Sequence, residues 1–169
     1  DKYGFNKISG LLSYKDSVIS SSSLNMQDSN QSIWELDDLN IVSIYDFSFS
    51  GNMKSTKYMP SQILTSSLER FAPESTYLKN LTMNYSYKEK NGKSDFSIKA
   101  YSDQLVSGNL IAMNASCDMN YSSELNDLNI KLEKIDFQNY SFKDINILYN
   151  DNKLIVNSID RKSGEFLDI

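Results

Sequence analysis

A six-residue pattern occurs four times in this chain and limits what it can fold into. Leu36-Asp37-Asp38-Leu39-Asn40-Ile41 runs apolar, any residue, Asp or Asn, apolar, Asn or Thr, apolar. Leu78-Lys79-Asn80-Leu81-Thr82-Met83, Leu125-Asn126-Asp127-Leu128-Asn129-Ile130 and Phe142-Lys143-Asp144-Ile145-Asn146-Ile147 keep the same order. Such repetition points to one structural unit used more than once. The fourth and sixth positions are always Leu, Ile or Met, and the third and fifth are short and polar. On a strand these two sets face opposite sides. Each copy is expected to mark a strand or a turn entering one, since Asp or Asn at a strand start bonds to nearby backbone N–H groups and fixes the entry turn. The copies start at residues 36, 78, 125 and 142, so their spacings are 42, 47 and 17 residues. That irregularity excludes a solenoid of fixed period.

Period two dominates the rest of the chain. Val18, Ser20, Ser22, Leu24 and Met26 alternate with Ile19, Ser21 and Ser23. A run from Ile41 to Ser50 puts Ile41, Tyr45, Phe47 and Phe49 on one side. Leu81, Met83, Tyr85 and Tyr87 form another stripe, and Phe96, Ile98 and Ala100 a third. Alternation of this kind marks half-buried strands, and antiparallel sheets are the ones that leave a face in water. Asn91-Gly92, between two such runs, supplies the positive φ angles of a tight hairpin. Tyr14–Ser17 and Asn150–Lys153 are further hairpin candidates. Pro60 and Pro73 bracket Ile63, Leu64, Ser67, Leu68 and Phe71 at helical spacing, which predicts an amphipathic helix over 61–72. A helical turn near Asp103–Val106 is a weaker feature. The expected fold is therefore α+β and β-rich, in one domain over 1–169. It is a largely antiparallel, strongly twisted sheet of hairpins with one helix packed on it.

Composition excludes several functions. A net charge of -5 disfavours nucleic acid and anionic membrane surfaces. No apolar stretch approaches the roughly 18 residues needed to span a bilayer. The chain starts at Asp1 without a signal segment, so a mature protein or an excised domain is expected, with any signal or anchor missing. The chain has no His, so the commonest general base and zinc ligand is absent. Asp37 and Asp38, adjacent on a strand, should face apart rather than share a proton. Glu124 and Asp127 read as solvated turn residues. Six glycines never cluster into a phosphate-binding loop. Asn150-Asp151-Asn152 lacks the closing Glu of a calcium loop and reads as a turn. The lone Cys117 forms no internal disulfide, and alternation places it with Ile111, Met113, Ala115 and Met119 as a small buried hydrophobe. Trp34 reads as a core residue with one wet edge; an exposed Trp beside Tyr45 would instead stack on a ligand. Asn-x-Ser/Thr at Asn30, Asn80, Asn84, Asn114, Asn120 and Asn139 is mostly expected by chance in a chain this rich in Asn and Ser. No metal site, cofactor or catalytic residue is expected.

The hairpin strands Leu78–Tyr87 and Phe96–Tyr101, with Leu125–Ile130 running on to Phe142–Ile147 and Lys153–Ile159, resemble the AsmA-like and YdgA-like envelope proteins of Gram-negative bacteria. The resemblance covers about the C-terminal half. It implies a periplasmic β-rich protein on an N-terminal membrane anchor. For the AsmA-like branch it implies an apolar groove that handles phospholipid; for the YdgA-like branch it implies no settled activity. The chain departs from the family in having few glycines, a shorter length and no visible anchor. The function expected is a non-enzymatic, periplasmic or secreted protein that holds a lipid or apolar ligand. Leu39, Ile41, Leu81, Met83, Leu128, Ile130, Ile145 and Ile147 would form its apolar wall. The alternative is a protein-interaction module, adhesin-like or an assembly factor, that takes a partner at a sheet edge.

Overall fold

A computed structural model describes residues 5–28, 31–42, 47–59, 76–122, 126–150, 153–160 and 166–168. Every regular element among them is a strand: β1 (Phe5–Gly10), β2 (Ser13–Lys15), β3 (Val18–Asp28), β4 (Ile33–Val42), β5 (Ser48–Tyr58), β6 (Tyr77–Lys90), β7 (Lys93–Ser107), β8 (Leu110–Tyr121), β9 (Asn126–Phe137), β10 (Tyr140–Asn150), β11 (Lys153–Asp160) and β12 (Phe166–Asp168). They form one antiparallel sheet in which β3 to β12 follow chain order, while β1 and β2 both pair with β3.

The expected α+β class is corrected to all-β. No described residue is helical, and substantial contacts between elements join sheet neighbours only. The period-two stripes pack side by side within one layer, so among the described residues no helical layer enters the core. The helix expected over 61–72 lies outside the described residues, as do Asn30, Tyr45 and Leu125. Asp103–Val106, expected as a helical turn, is part of β7. The Ile41–Ser50 run is also corrected, because it is not one strand. Ile41 lies near the end of β4 and Phe49 near the start of β5, and the two are cross-strand partners. They share a face through pairing across the sheet rather than through alternation along it.

The hairpin at Asn91-Gly92 forms as expected, with φ of 52° and 72° and Lys90 paired to Lys93. Asp16 and Ser17, at 50° and 64°, close the β2–β3 hairpin. Positive φ at both central residues matches the strand twist.

The third position of the repeat does something the sequence did not suggest. Asp38, Asn80 and Asp144 have φ of 52°, 50° and 52°, in the interiors of β4, β6 and β10. They mark left-handed residues inside strands, not turns leading into them. Asn and Asp tolerate this conformation better than other side-chain-bearing residues. The consequence is a change of parity. Leu78 and Leu81 are three residues apart, so an uninterrupted strand would point them to opposite faces. Instead Leu78 and Met83 both pack against the cluster that contains Leu81. Positions one, four and six therefore share a face because position three resets the alternation. In β4 the inward set changes in the same way, from Trp34 and Leu36 to Leu39 and Ile41, and the register against β5 slips at this point.

The copy at 125–130 lacks the device. Asn114 in β8 supplies it instead, at φ 50°, within Ala112-Met113-Asn114-Ala115-Ser116-Cys117. The reset at Asn114 splits the expected face: Cys117 stays with Ala115 and Met119, while Ile111 and Met113 fall on the other side. Ala112 is buried while Ile111 is exposed, and Cys117 pairs with Ala100, which packs against the core.

Three of these left-handed residues, Asn80, Asn114 and Asp144, line up. The flanking pairs place Asn80, Asp103, Asn114, Glu133 and Asp144 in one row across β6 to β10. Asn80 Nδ2 donates to Asp103 Oδ2 at 2.8 Å, and Asn114 Nδ2 donates to Glu133 Oε2. Tyr101 Oη donates to Asn114 Oδ1 at 2.9 Å. Each such bond compensates part of the left-handed backbone cost.

The tightest packing surrounds Trp34, Met53 and Leu81. Trp34 is 3% exposed and meets Phe5 and Tyr58 edge-on, at 5.8 and 5.4 Å between ring centres. Its indole Nε1 donates to buried Asp28 Oδ2 at 3.0 Å, while Asp28 Oδ1 accepts from the Ser32 backbone N–H at 2.9 Å. Trp34 is thus a core residue with a buried polar anchor, and the stacking alternative does not hold.

Candidate functional site

With parity reset in β4, β6, β8 and β10, one side of the sheet becomes a continuous apolar wall. Its central row runs Leu36, Met53, Met83, Ala100, Cys117, Ile130, Ile147, each the direct partner of the next. Three of the eight expected wall residues, Met83, Ile130 and Ile147, stand in this row. Leu81 and Ile145 belong to the adjoining row, joined through Ser102, Ala115 and Leu132, and both are 5% exposed. Leu128 lies on the other side of the central row, paired with Met119 and Tyr149. Leu39 and Ile41 stand apart at the β4 end, where Leu39 pairs with Ser21 and Ile41 with Phe49.

Cross-strand register also adds residues that a pattern within single strands does not find. Phe47, Phe49, Tyr85 and Tyr87 form one aromatic group on this wall. Phe49 stacks on Tyr87 at 5.3 Å between ring centres, and Phe47 lies 5.9 Å from Tyr87. The Tyr85 ring covers Gly51, where an added Cβ would sit 2.8 Å from the Tyr85 hydroxyl. A glycine in a strand interior often marks such a close approach. Alternating aromatic positions in β5 and β6 were the available signal; their meeting depends on register.

Most of the wall is half-buried. Among the described residues no second layer lies against it, and the sheet is open, ending at β1 and β12. Burial favours the neutral form of three ionisable groups on or beside the wall. Burial raises the Cys117 thiol above its usual range, and the neighbouring Asp118 carboxylate adds to the shift. Burial likewise raises Tyr85 and Tyr58. Among the described residues no three acidic or cysteine side chains gather as a metal site.

The opposite face carries charge and amides. Lys54 Nζ lies 3.3 Å from Asp37 Oδ2, and Lys99 Nζ lies 3.4 Å from Asp118 Oδ2. Asp38 accepts from Asn52 Nδ2 at 3.1 Å, so Asp37 and Asp38 have different partners and share no proton. No known family model matches the chain, and neither does any curated protein or solved structure.

Proposed function

We propose that this chain is a non-enzymatic envelope protein whose apolar sheet face holds a lipid acyl chain or similar apolar ligand, in the periplasm or an equivalent compartment. The observation that supports it is the wall itself, apolar from Leu36 to Ile147 across seven strands and half-buried at every position but Met53. Apolar surface of this extent is worth roughly 25 cal/mol per Å² when removed from water. Large exposed apolar patches commonly mark binding surfaces. The net charge of -5 disfavours docking on an anionic bilayer, so the ligand is a single chain rather than a membrane surface. Most of the wall is aliphatic side chains, which neither donate protons nor attack, and this suits carriage rather than chemistry.

The test is mass spectrometry of lipids extracted from the purified chain, together with titration of a fluorescent acyl probe. Co-purified lipid is expected, with saturable probe binding that falls when Ile130 and Ile147 are both changed to Ser. A folded chain that carries no lipid and leaves the probe dark contradicts the reading.

A second reading rests on the β1 edge. All of β1 is exposed, and Ile8, Leu11, Leu12 and Tyr14 present apolar side chains there. An uncovered edge of this kind accepts an added strand. A partner captured by the native chain and released by Ile8→Pro favours this reading.

A further inference from the structure

We propose that the polar face of the sheet over β8 to β10, opposite the apolar wall, binds a glycan through its hydroxyl groups. Asn84, Lys99, Asp118 and Asn129 form one row across β6 to β9, each the direct partner of the next. Asn120, Asp127 and Asn150 continue the adjoining row. Three shallow depressions of about 370, 380 and 500 Å³ lie along these rows. The largest is lined by Asp118, Asn120, Asp127, Asn129 and Asn150, with Lys153 at its side.

The second observation is chemical. Asp127 Oδ1 and Asn129 Oδ1, in that depression, are buried and have no hydrogen-bond partner, and neither does Asn146 Oδ1 one row away. Buried acceptors are nearly always paired. Three together call for a ligand that brings donors. A cation fits poorly, because Asp118 is already paired with Lys99 and hard cations need several charged oxygens. Sugar hydroxyls fit better. They donate to the Asn and Asp oxygens and accept from Lys153 and the amide N–H groups. Leu148 and Ile155, paired on the same face, offer an apolar surface to the C–H side of a sugar ring. The rows present one polar side chain per strand, about every 4.8 Å. A linear chain of sugars crossing the strands meets a new partner at each step.

The inference is independent of the lipid reading, since the two sites lie on opposite faces. Cellohexaose, chitohexaose and maltohexaose are titrated separately into the chain at millimolar concentration, with ligand-observed NMR and calorimetry. At least one is expected to bind saturably, with an affinity that high salt leaves unchanged. The double change Asn129→Leu and Asn146→Leu should weaken it about tenfold or more, the loss of one or two hydrogen bonds. Asn120→Ala, checked by circular dichroism, serves as the second variant and should weaken it in the same direction. Binding of none of the three by the folded chain overturns the proposal. So does unchanged affinity in the folded variants, or saturable binding of calcium chloride alone at these residues without any sugar.

Discussion

Asp144 holds a φ of 52° in the interior of β10, where a side chain with a branched Cβ is strained. Asp144→Val should destabilise the chain by about 1–2 kcal/mol, the usual cost of a left-handed conformation for such a residue. Asp144→Gly should change stability by a few tenths at most, because glycine takes that conformation freely. Urea denaturation of the two variants separates backbone strain from loss of the side chain. The Trp34 indole poses a related question of pairing. Trp34→Phe keeps the ring in the core but removes the indole hydrogen bond to buried Asp28 Oδ2, at a cost of about 1–3 kcal/mol. At alkaline pH the sign follows from burial. The folded state raises Cys117 above its ordinary 9.0, and Tyr58 and Tyr85 above their ordinary 10.0. A raised value means that folding favours the protonated form. The stability it contributes is whole below the ordinary values and is lost as pH rises through the shifted ones. Thermal melts should therefore fall as pH climbs past the ordinary thiol value, and Cys117→Ala should remove part of that fall.

The hairpins show how unevenly the sequence reveals elements. Asn91-Gly92 was legible because both residues favour the conformation the turn requires, and Gly92, at φ 72°, has open space around it. Gly92→Ala should still cost about 1 kcal/mol, from strain rather than contact, readable as a drop in melting temperature. The boundary between β4 and β5 was hidden, because neither Gly nor Pro breaks the alternation from Ile41 to Ser50. Asn80 and Asp144 were visible as a repeated type, but the same residues also favour turns, and a backbone angle leaves no separate mark in sequence. The clue was arithmetic: Leu78 and Leu81 are an odd number of residues apart, and a flat strand cannot place both inside. Asn114 escaped the pattern because Ala115 and Cys117 stand where the other copies have Leu, Ile or Met, and Ser116 where they have Asn or Thr. The face switch in β7 and β9 has no signal of its own. Asp103 and Glu133 follow the left-handed residues beside them. Within the candidate wall, Met83, Ile130 and Ile147 were legible one strand at a time, whereas their shared row required register.

At the scale of the whole molecule, the described residues form one open layer with two unlike faces. One is aliphatic and aromatic; the other carries amides, hydroxyls and paired charges. A uniform alternation through β4, β6, β8 and β10 would scramble these faces. A transverse row from Asn80 to Asp144, left-handed at Asn80, Asn114 and Asp144, keeps them separate. Both proposed sites depend on that separation, since each is built from rows that stay on one face across several strands. The most direct test is an NMR measurement of φ at Asn80, Asn114 and Asp144, with side-chain contacts recorded across the row. The account predicts positive φ at all three, with Leu78 and Leu81 on the same face and Ile135 and Leu132 likewise joined to Phe142 and Ile145. Negative φ at these residues, with Leu78 and Leu81 on opposite faces, would contradict it.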